Sequence, residues 1–241
     1  MKTTPSRIFI LIVFACVLCA TSALAADVFH NESEAGVVIA SGNTRSQSYN
    51  FKQINTQTLN KDLIKFEGRL LKTSNRSIET ARFWTLGLRY ERELTPVFSL
   101  FAAETLESDR FAGYLQRYNS DLGGKYFFYK EELFTWSAEA GYRYSIENRA
   151  AGQSKFHYLR AYTEALKGWS KSVSTKAWLE YLPNLTAGQD YKVNGEASVS
   201  AALTEIFSIK TAYLVKYEHQ PAPPATERTN TWFTTALVAQ F

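Results

Sequence analysis

Three histidines beyond residue 25 are the side chains best suited to acid–base chemistry at neutral pH. They are His30, His157 and His219. A histidine within reach of a carboxylate can activate water. Asp109 and His219 each lie at the end of a predicted strand, and both strand ends are expected on the same side of the β-structure, its outer rim. The sequence is therefore compatible with an alternative function, a hydrolase that acts at a lipid surface through a histidine at this rim. A single histidine at a rim is more often only a solvated side chain.

No pattern in the sequence builds a cofactor or metal site. Glu107 and Asp109 could help to hold a divalent cation, but two rim carboxylates are usually only solvated. The chain has no metal-ligand spacing and no glycine-rich phosphate loop. Both cysteines, Cys16 and Cys19, lie in the first 25 residues, which excludes thiol and disulfide chemistry beyond them. We predict no cofactor, no metal, no catalytic residue and no enzyme.

The first 25 residues read as a secretory signal peptide. Lys2 and Arg7 precede a short apolar run, and Ala23 and Ala25 match a small-x-small cleavage site. We predict cleavage after Ala25, an N-terminal tail over 26–33 in the periplasm, and one all-β domain over 34–241. Two of the 27 basic residues lie in the leader, so the rest of the chain has 25 basic residues and 23 acidic ones. That near balance gives no reason to expect nucleic-acid binding.

Turn signals divide the rest of the chain into about twelve strand-like segments. Every proline beyond the leader falls in a turn, a loop or the first position of a strand, where no ladder N–H is lost. The connections after even segments are tight, and those over 110–113, 148–154, 183–188 and 220–228 are longer. Short periplasmic turns and longer outer loops are typical of outer-membrane barrels. The predicted segments are 34–42, 45–58, 61–73, 78–92, 96–109, 114–129, 132–148, 155–167, 170–182, 189–202, 205–219 and 229–241.

Most segments separate into an apolar and a charged face with a period of two. The apolar face carries Tyr and Trp toward its ends and Ala, Leu and Val between them, which favours contact with lipid between two aromatic girdles. Glu104 and Glu107 have opposite parity, so the fifth segment does not separate cleanly. The charged face then lines a lumen, with eleven basic residues, counting Lys52, against seven acidic ones. The main candidates for that lining are Lys65, Glu67, Arg69, Arg89, Arg117, Asp121, Lys125, Glu139, Arg143, Arg160, Glu164, Lys176, Glu180, Glu196, Lys210, Lys216 and Glu218.

The last segment alternates up to an aromatic residue at Phe241. Phe233, Leu237 and Phe241 share one face, and the segment has no charged side chain. A soluble protein seldom leaves such an apolar edge open, whereas a closed barrel pairs its last strand with its first. This ending also looks like the signal that the barrel assembly machinery of the bacterial outer membrane reads.

Several short motifs occur in an order that resembles a known family. They are Glu34-Ala35-Gly36 to Thr44, Leu106 to Phe111, Glu180-Tyr181-Leu182-Pro183, and Tyr217 to Phe241. The chain resembles the YdiY-like family of salt-induced outer-membrane proteins, a domain family of unknown function. The resemblance implies an outer-membrane barrel and a link to osmotic or salt stress, and it brings no activity, ligand or catalytic residue.

We therefore predict an up-and-down antiparallel transmembrane β-barrel of about twelve strands in the bacterial outer membrane. Its role is either a narrow pore that weakly favours anions or a closed structural barrel of the envelope. The alternative is an outer-membrane lipid hydrolase with the rim histidine. The expected partners are outer-membrane lipid, lipopolysaccharide and the assembly machinery.

Overall fold

The computed structural model describes residues 28–40, 46–76, 78–221, 223 and 225–241. Within them the chain forms twelve strands and no helix. Consequently, no helix in this part of the chain could cross a membrane. The strands are β1 Val28–Ala40, β2 Ser46–Leu59, β3 Asp62–Asn75, β4 Ile78–Thr95, β5 Phe98–Asp109, β6 Tyr114–Lys130, β7 Phe134–Arg149, β8 Gly152–Gly168, β9 Val173–Pro183, β10 Tyr191–Ala202, β11 Phe207–Glu218 and β12 Thr229–Gln240.

Each strand pairs in antiparallel fashion with its neighbours in the chain, and β12 pairs with β1 to close the ring. Closure satisfies the backbone hydrogen-bonding groups of every strand, which hydrocarbon would leave unpaired at an open edge. The predicted fold class, an up-and-down barrel of twelve strands, is confirmed.

The seam between β1 and β12 is short. Its register runs from Glu32 opposite Gln240 to Ala35 opposite Leu237. Beyond these pairs, the backbone N–H groups of Asn31 and Phe241 each donate to the other residue's carbonyl oxygen, over 2.8 and 3.1 Å. Phe241 therefore helps to close the ring through its backbone as well as carrying an aromatic side chain.

The barrel begins earlier than the sequence suggested. Residues 28–33 were predicted to be part of a periplasmic tail, but they belong to β1 and pair with β2 from Val28 opposite Thr58 onward. Because β2 continues to Leu59, its backbone can pair with residues 28–33, although these residues lack a clear alternation of apolar and polar side chains. The predicted signal peptide and its cleavage after Ala25 lie outside the described residues.

One predicted outer loop is also wrong. Residues 148–154 were assigned to a connection, whereas β7 and β8 run on and pair Asn148 with Gln153 and Arg149 with Gly152. Backbone pairing does not require apolar side chains, so these polar residues extend the hairpin beyond the apolar band. Among the connections that the structure describes in whole or in part, the longer outer ones are those over 110–113, 184–190 and 219–228.

The two faces of the wall differ in composition. The outer face exposes leucine and other large apolar side chains, among them Leu122, Leu159 and Leu179. Aromatic clusters lie near its ends, such as Phe128 with Trp136 at the periplasmic end and Tyr191 with Tyr217 at the outer end. The protein's core is the barrel interior, where the most deeply buried apolar side chains include Leu71, Phe83, Phe101, Tyr114, Tyr158, Leu214 and Val238.

A pair of glycines makes room for an interior ring. Gly123 and Gly141 are opposite each other on β6 and β7. A Cβ atom on Gly123 would lie 2.8 Å from the Phe101 ring and 2.5 Å from the Ala140 carbonyl oxygen. Phe101 itself lies under the guanidinium group of Arg89, 3.9 Å from its carbon to the ring centroid. The glycines thus position an aromatic support for interior charges.

Candidate functional site: the charged interior

The structure places all of the predicted lumen charges on the interior face of the wall. Each of them takes part in at least one ion pair. Period-two alternation produces this arrangement, since successive side chains of a strand point to opposite faces. The charges fall into three main clusters that lie along the barrel.

The first, which we call the outer cluster, lies near the cell-surface ends of the strands. Arg117 is its centre: its guanidinium group donates to Glu147 over 2.7 Å, to Glu218 over 2.9 Å and to Glu107 over 3.1 Å. The ring of Tyr114 lies 3.7 Å from the Arg117 guanidinium carbon. The members of the outer cluster are Glu107, Arg117, Glu147, Lys192, Lys216 and Glu218.

The second, the central cluster, joins five strands: β4 and the four neighbouring strands β6 to β9. Arg160 donates to Glu139 over 2.6 Å and to Glu180 over 2.7 Å, while Arg143 makes a two-point contact with Asp121 over 2.6 and 2.7 Å. Such bidentate pairs fix geometry as well as adding energy. The members are Arg89, Asp121, Glu139, Arg143, Arg160 and Glu180.

The third, the seam cluster, lies beside the β1–β12 closure. Lys210 donates to Glu34 over 2.5 Å, and Arg69 donates to Glu196 over 2.9 Å. Each of these four side chains is at least nine-tenths buried. The members are Glu34, Lys52, Glu67, Arg69, Glu196 and Lys210.

Several of these pairs cross the interior rather than following the wall. Lys216 on β11 and Glu107 on β5 are 3.3 Å apart, although six strand-to-strand steps separate their strands, the largest separation a ring of twelve allows. Arg117 on β6 and Glu218 on β11 are five steps apart. Side chains that reach each other from opposite walls occupy the space between them, so they constrict the lumen.

Apolar groups fill other parts of the interior. Phe83 on β4 stacks on Trp232 of β12, with ring centroids 6.0 Å apart, and the Lys216 ammonium lies 3.9 Å from the centroid of the Phe83 ring. At the outer end, a cavity of about 170 Å³ is bounded by these two rings and by Asp109. That volume is of the size of a few water molecules and far below a drug-sized pocket.

The periplasmic end of the interior is more open. There Lys176 pairs with Glu164 over 3.1 Å and Lys65 pairs with Glu67 over 2.9 Å. These side chains remain about a third exposed, in contrast to the outer cluster. Lys125 on β6 pairs with Glu91 on β4 at a similar height in the barrel.

The predicted lining leaves out six interior charges. They are Glu34, Glu91, Glu107, Glu147, Arg149 and Lys192, all of which make interior ion pairs. Four of the six are acidic, so the interior is closer to neutral than the predicted excess of basic groups. Parity places Glu147 on the charged face of the seventh segment together with Glu139 and Arg143, although it was not counted among the lining charges.

The structure does not bring together the residues considered for hydrolysis. The Asp109 carboxylate is buried and accepts hydrogen bonds from the backbone N–H groups of Phe111 and Ala112. His219 stacks on Tyr191 with ring centroids 4.8 Å apart, and its Nδ1 contacts the Tyr217 hydroxyl group. Those tyrosines face outward at the girdle, so the two groups lie on opposite faces of the wall.

The other two histidines offer no better site. His157 lies on the outer face and bonds the Tyr142 hydroxyl group, while His30 is exposed near the start of β1. In the described part of the chain no three His, Cys, Asp or Glu side chains are grouped so that they could hold a metal ion.

The residues of the predicted C-terminal signal lie on the outer face of β12. Phe233 and Phe241 are about 70% exposed, and Leu237 is about half exposed. Their orientation leaves three apolar side chains available to lipid or to a partner on one stripe of the wall.

These features define a twelve-stranded outer-membrane β-barrel whose interior is crossed by ion pairs. The chain belongs to the family described as "Protein of unknown function, DUF481", which matches residues 33–241. It is 24% identical over 211 residues to the uncharacterized protein YdiY of Escherichia coli K12, covering 87% of this chain and 82% of that protein.

Solved outer-membrane proteins are among the structures with a similar fold. An outer membrane channel from Pseudomonas putida F1 superposes with a TM-score of 0.51 at 12% identity, covering 92% of this chain and 97% of that one. The NanC porin gives a TM-score of 0.49 at 8% identity, covering 88% and 98%. At 12% identity the likeness to the channel concerns the fold alone.

Proposed function

We propose that this protein is a closed barrel of the outer membrane, a structural envelope protein whose interior carries no steady flux of solute at rest. The observation that carries this proposal is the set of ion pairs between opposite walls, above all Lys216–Glu107 and Arg117–Glu218. Because the outer cluster lies at the cell-surface end, it obstructs the lumen where a solute would enter.

Burial strengthens this argument. Glu147 is fully buried and Arg117 is 7% exposed, so their contacts are shielded from the solvent that would exchange them. Breaking such a pair by moving one partner leaves a buried charge without compensation, which is costly. The resting barrier is therefore made of side chains that are expensive to separate.

Single-channel recording tests this proposal. Folded protein in planar bilayers at low and high salt is expected to give no conductance steps above the baseline. The refolded state is verified beforehand by its slower migration on unheated gels. Regular steps from the unmodified protein at low voltage would overturn the closed barrel.

The second candidate is a narrow pore that weakly favours anions. The observation in its favour is the more open periplasmic end, where Lys65 and Lys176 remain partly exposed. This function requires the outer cluster to separate, and the acidic groups found in the interior reduce any preference for anions. The same recording in a gradient of salt would give its selectivity from the reversal potential.

Catalysis is not part of the proposal. The separation of Asp109 from His219 leaves the rim histidine without the carboxylate it would need. We expect His219→Ala to leave the lipid composition of the outer membrane unchanged. A lipid A or phospholipid cleavage activity that this substitution abolishes would restore the hydrolase.

Two partners accompany the closed barrel. Lys72 and Arg82, which are about half exposed on adjacent strands toward the outer end, are suited to lipopolysaccharide phosphates. The outward stripe of Phe233, Leu237 and Phe241 is the surface that we propose the assembly machinery recognises.

A further inference from the structure

One acidic side chain departs from the pattern of the wall. Glu104 on β5 is opposite Leu88 of β4 and Ser120 of β6. Residues directly opposite in an antiparallel pair share a face, and Leu88 is an exposed residue of the outer face. Glu104 therefore points away from the lumen, in contrast to Glu107 on the same strand, which joins the outer cluster.

The surroundings of Glu104 are the apolar band of the barrel. On β5 the flanking outward residues are Ala102 and Leu106. On β4 its partner Leu88 lies between Trp84 and Tyr90, the aromatic residues that mark the two edges of the band. An ionisable group at such a position is costly, and it is a functional candidate by default.

The partners of Glu104 within the chain do not satisfy it. Its carboxyl group accepts one hydrogen bond, from the Ser120 hydroxyl group to Oε2 over 2.9 Å. In the part of the chain that the structure describes, no ion pair is found for Glu104, whereas every predicted lumen charge has one. Lipid tails have no hydrogen-bond donor or acceptor. The hydrogen bonds that the Glu104 carboxyl group does not make within the chain therefore require a protein partner in the membrane.

We propose that the outer face of β5 and β6 around Glu104 and Ser120 is the surface on which a second copy of this chain packs. A protonated carboxyl group and a hydroxyl group each provide a donor and an acceptor. A two-fold axis brings the same patch of both copies together, so the two Glu104 carboxyl groups and the two Ser120 hydroxyl groups complement one another. This complementarity selects a second copy over a partner of fixed charge.

The neighbouring side chains suit a close approach. Ala102 is a small outward residue of β5 next to Glu104, whereas the outward side of Gly124 on β6 is covered by the Phe98 ring, which lies 3.0 Å from the position of a Cβ atom there. Small residues allow backbones to approach in a membrane, where packing and interhelical or interstrand hydrogen bonds replace the hydrophobic effect as the drive for association. Leu122 and Leu88, which are exposed next to them, would form the apolar surround of the polar contact.

Disulfide trapping tests the contact in intact cells. The chain has no cysteine beyond Cys19, so each added cysteine reports one position. Leu122→Cys lies beside the patch, and Ile209→Cys on the outer face of β11, the strand opposite β5 in the ring, is the matched control. Oxidation is expected to convert most of the Leu122→Cys protein to a species of twice the mass and to leave Ile209→Cys monomeric.

Substitutions of Glu104 then link the trapping to the polar contact. Glu104→Leu in the Leu122→Cys background is expected to reduce the trapped fraction at least fivefold, whereas Glu104→Gln, whose amide is also self-complementary, retains most of it. Ala102→Cys serves as the reporter if Leu122→Cys fails to fold. Equal trapping at both faces, trapping that survives Glu104→Leu, or adducts only to other proteins would overturn the proposal. None of these outcomes depends on whether the lumen conducts.

Discussion

Arg69 on β3 and Glu196 on β10 form a hydrogen-bonded ion pair of 2.9 Å across the barrel interior, although five strand-to-strand steps separate their strands. Both side chains are at most one-tenth exposed. The pair shows that the interior behaves as a packed core in which charged side chains take the place of many apolar ones.

Removal of one partner of this pair is expected to destabilise the barrel. Arg69→Ala leaves the buried Glu196 carboxylate with fewer neighbouring cations. Breaking a buried ion pair typically lowers the free energy of unfolding by about 3 kcal/mol. Urea unfolding of the protein in detergent micelles or liposomes measures the change. The double variant Arg69→Ala/Glu196→Ala should recover part of the loss.

The control for this measurement is an exposed pair. Lys130 and Glu93 lie 3.0 Å apart at the periplasmic end and are each more than a third exposed. Lys130→Ala should cost less than about 1 kcal/mol, since solvent screens such pairs. Equal losses from Arg69→Ala and Lys130→Ala would contradict the view that the interior is packed.

Removal of Arg117 is expected to open the outer cluster. The substitution Arg117→Ala takes away the one group that contacts Glu107, Glu147 and Glu218 together. The remaining carboxylates repel one another, so we expect conductance steps that favour cations by at least twofold in a salt gradient.

Arg92→Ala provides the comparison for the conductance experiment, because Arg92 pairs with Asp62 at the periplasmic edge, well away from this cluster. It should behave like the unmodified protein. If the Arg117→Ala protein folds and stays silent, another part of the interior forms the barrier.

Gly36 should be essential for closing the ring. A Cβ atom at this position would lie 2.5 Å from the carbonyl oxygen of Thr235 on β12, a distance that real Cβ atoms do not adopt. Gly36→Val is therefore expected to lower the yield of folded barrel at least fivefold, as judged by the heat-dependent shift on gels. Gly188→Val is the matched control, because a Cβ atom there meets nothing within 4 Å. Full folding of Gly36→Val would mean that the seam can adjust.

Phe241 contributes a ring and a backbone, and two variants separate them. Phe241→Ala keeps the two backbone hydrogen bonds to Asn31, whereas deletion of Phe241 removes both. If the ring is the element that the assembly machinery reads, both variants should reach the outer membrane poorly while Phe241→Ala still refolds in detergent. Normal delivery of both would contradict a role for this residue in assembly.

The fold was predictable because most strands carry unlike faces. On β7, aromatic or aliphatic residues alternate with charged residues, serine, threonine or glycine, and on β11 Lys210, Lys216 and Glu218 mark the inner face although Ala212 and Leu214 interrupt it. Both strand assignments are confirmed. The start of β1 was missed, since Val28 to Ser33 lack this contrast and pair only because β2 continues alongside them. Strand ends at 148–154 were missed for a related reason: paired backbone extends past the apolar band that alternation reports.

The interior contacts were less accessible to sequence reasoning. Parity alone cannot decide which of Glu104 and Glu107 faces the lumen when a strand carries both. The shift in register between Glu107 and Asp109 weakens the pattern further. Contacts such as Lys216–Glu107 depend on strand tilt and stagger, which fix how far opposite walls are apart. Tilt and stagger are properties of the whole closed barrel, so no short stretch of the sequence indicates them.

The wall of the barrel is uneven in height. β4, β6 and β8 have 17 or 18 residues, whereas β9 to β12 have 11 or 12, close to the minimum for crossing hydrocarbon. The surplus carries polar outward residues such as Thr80 and Arg82. On a living cell this taller side would stand among the sugar chains as a rigid ridge, so an antibody or a phage that meets the protein would recognise a hydrogen-bonded shape rather than a loose loop.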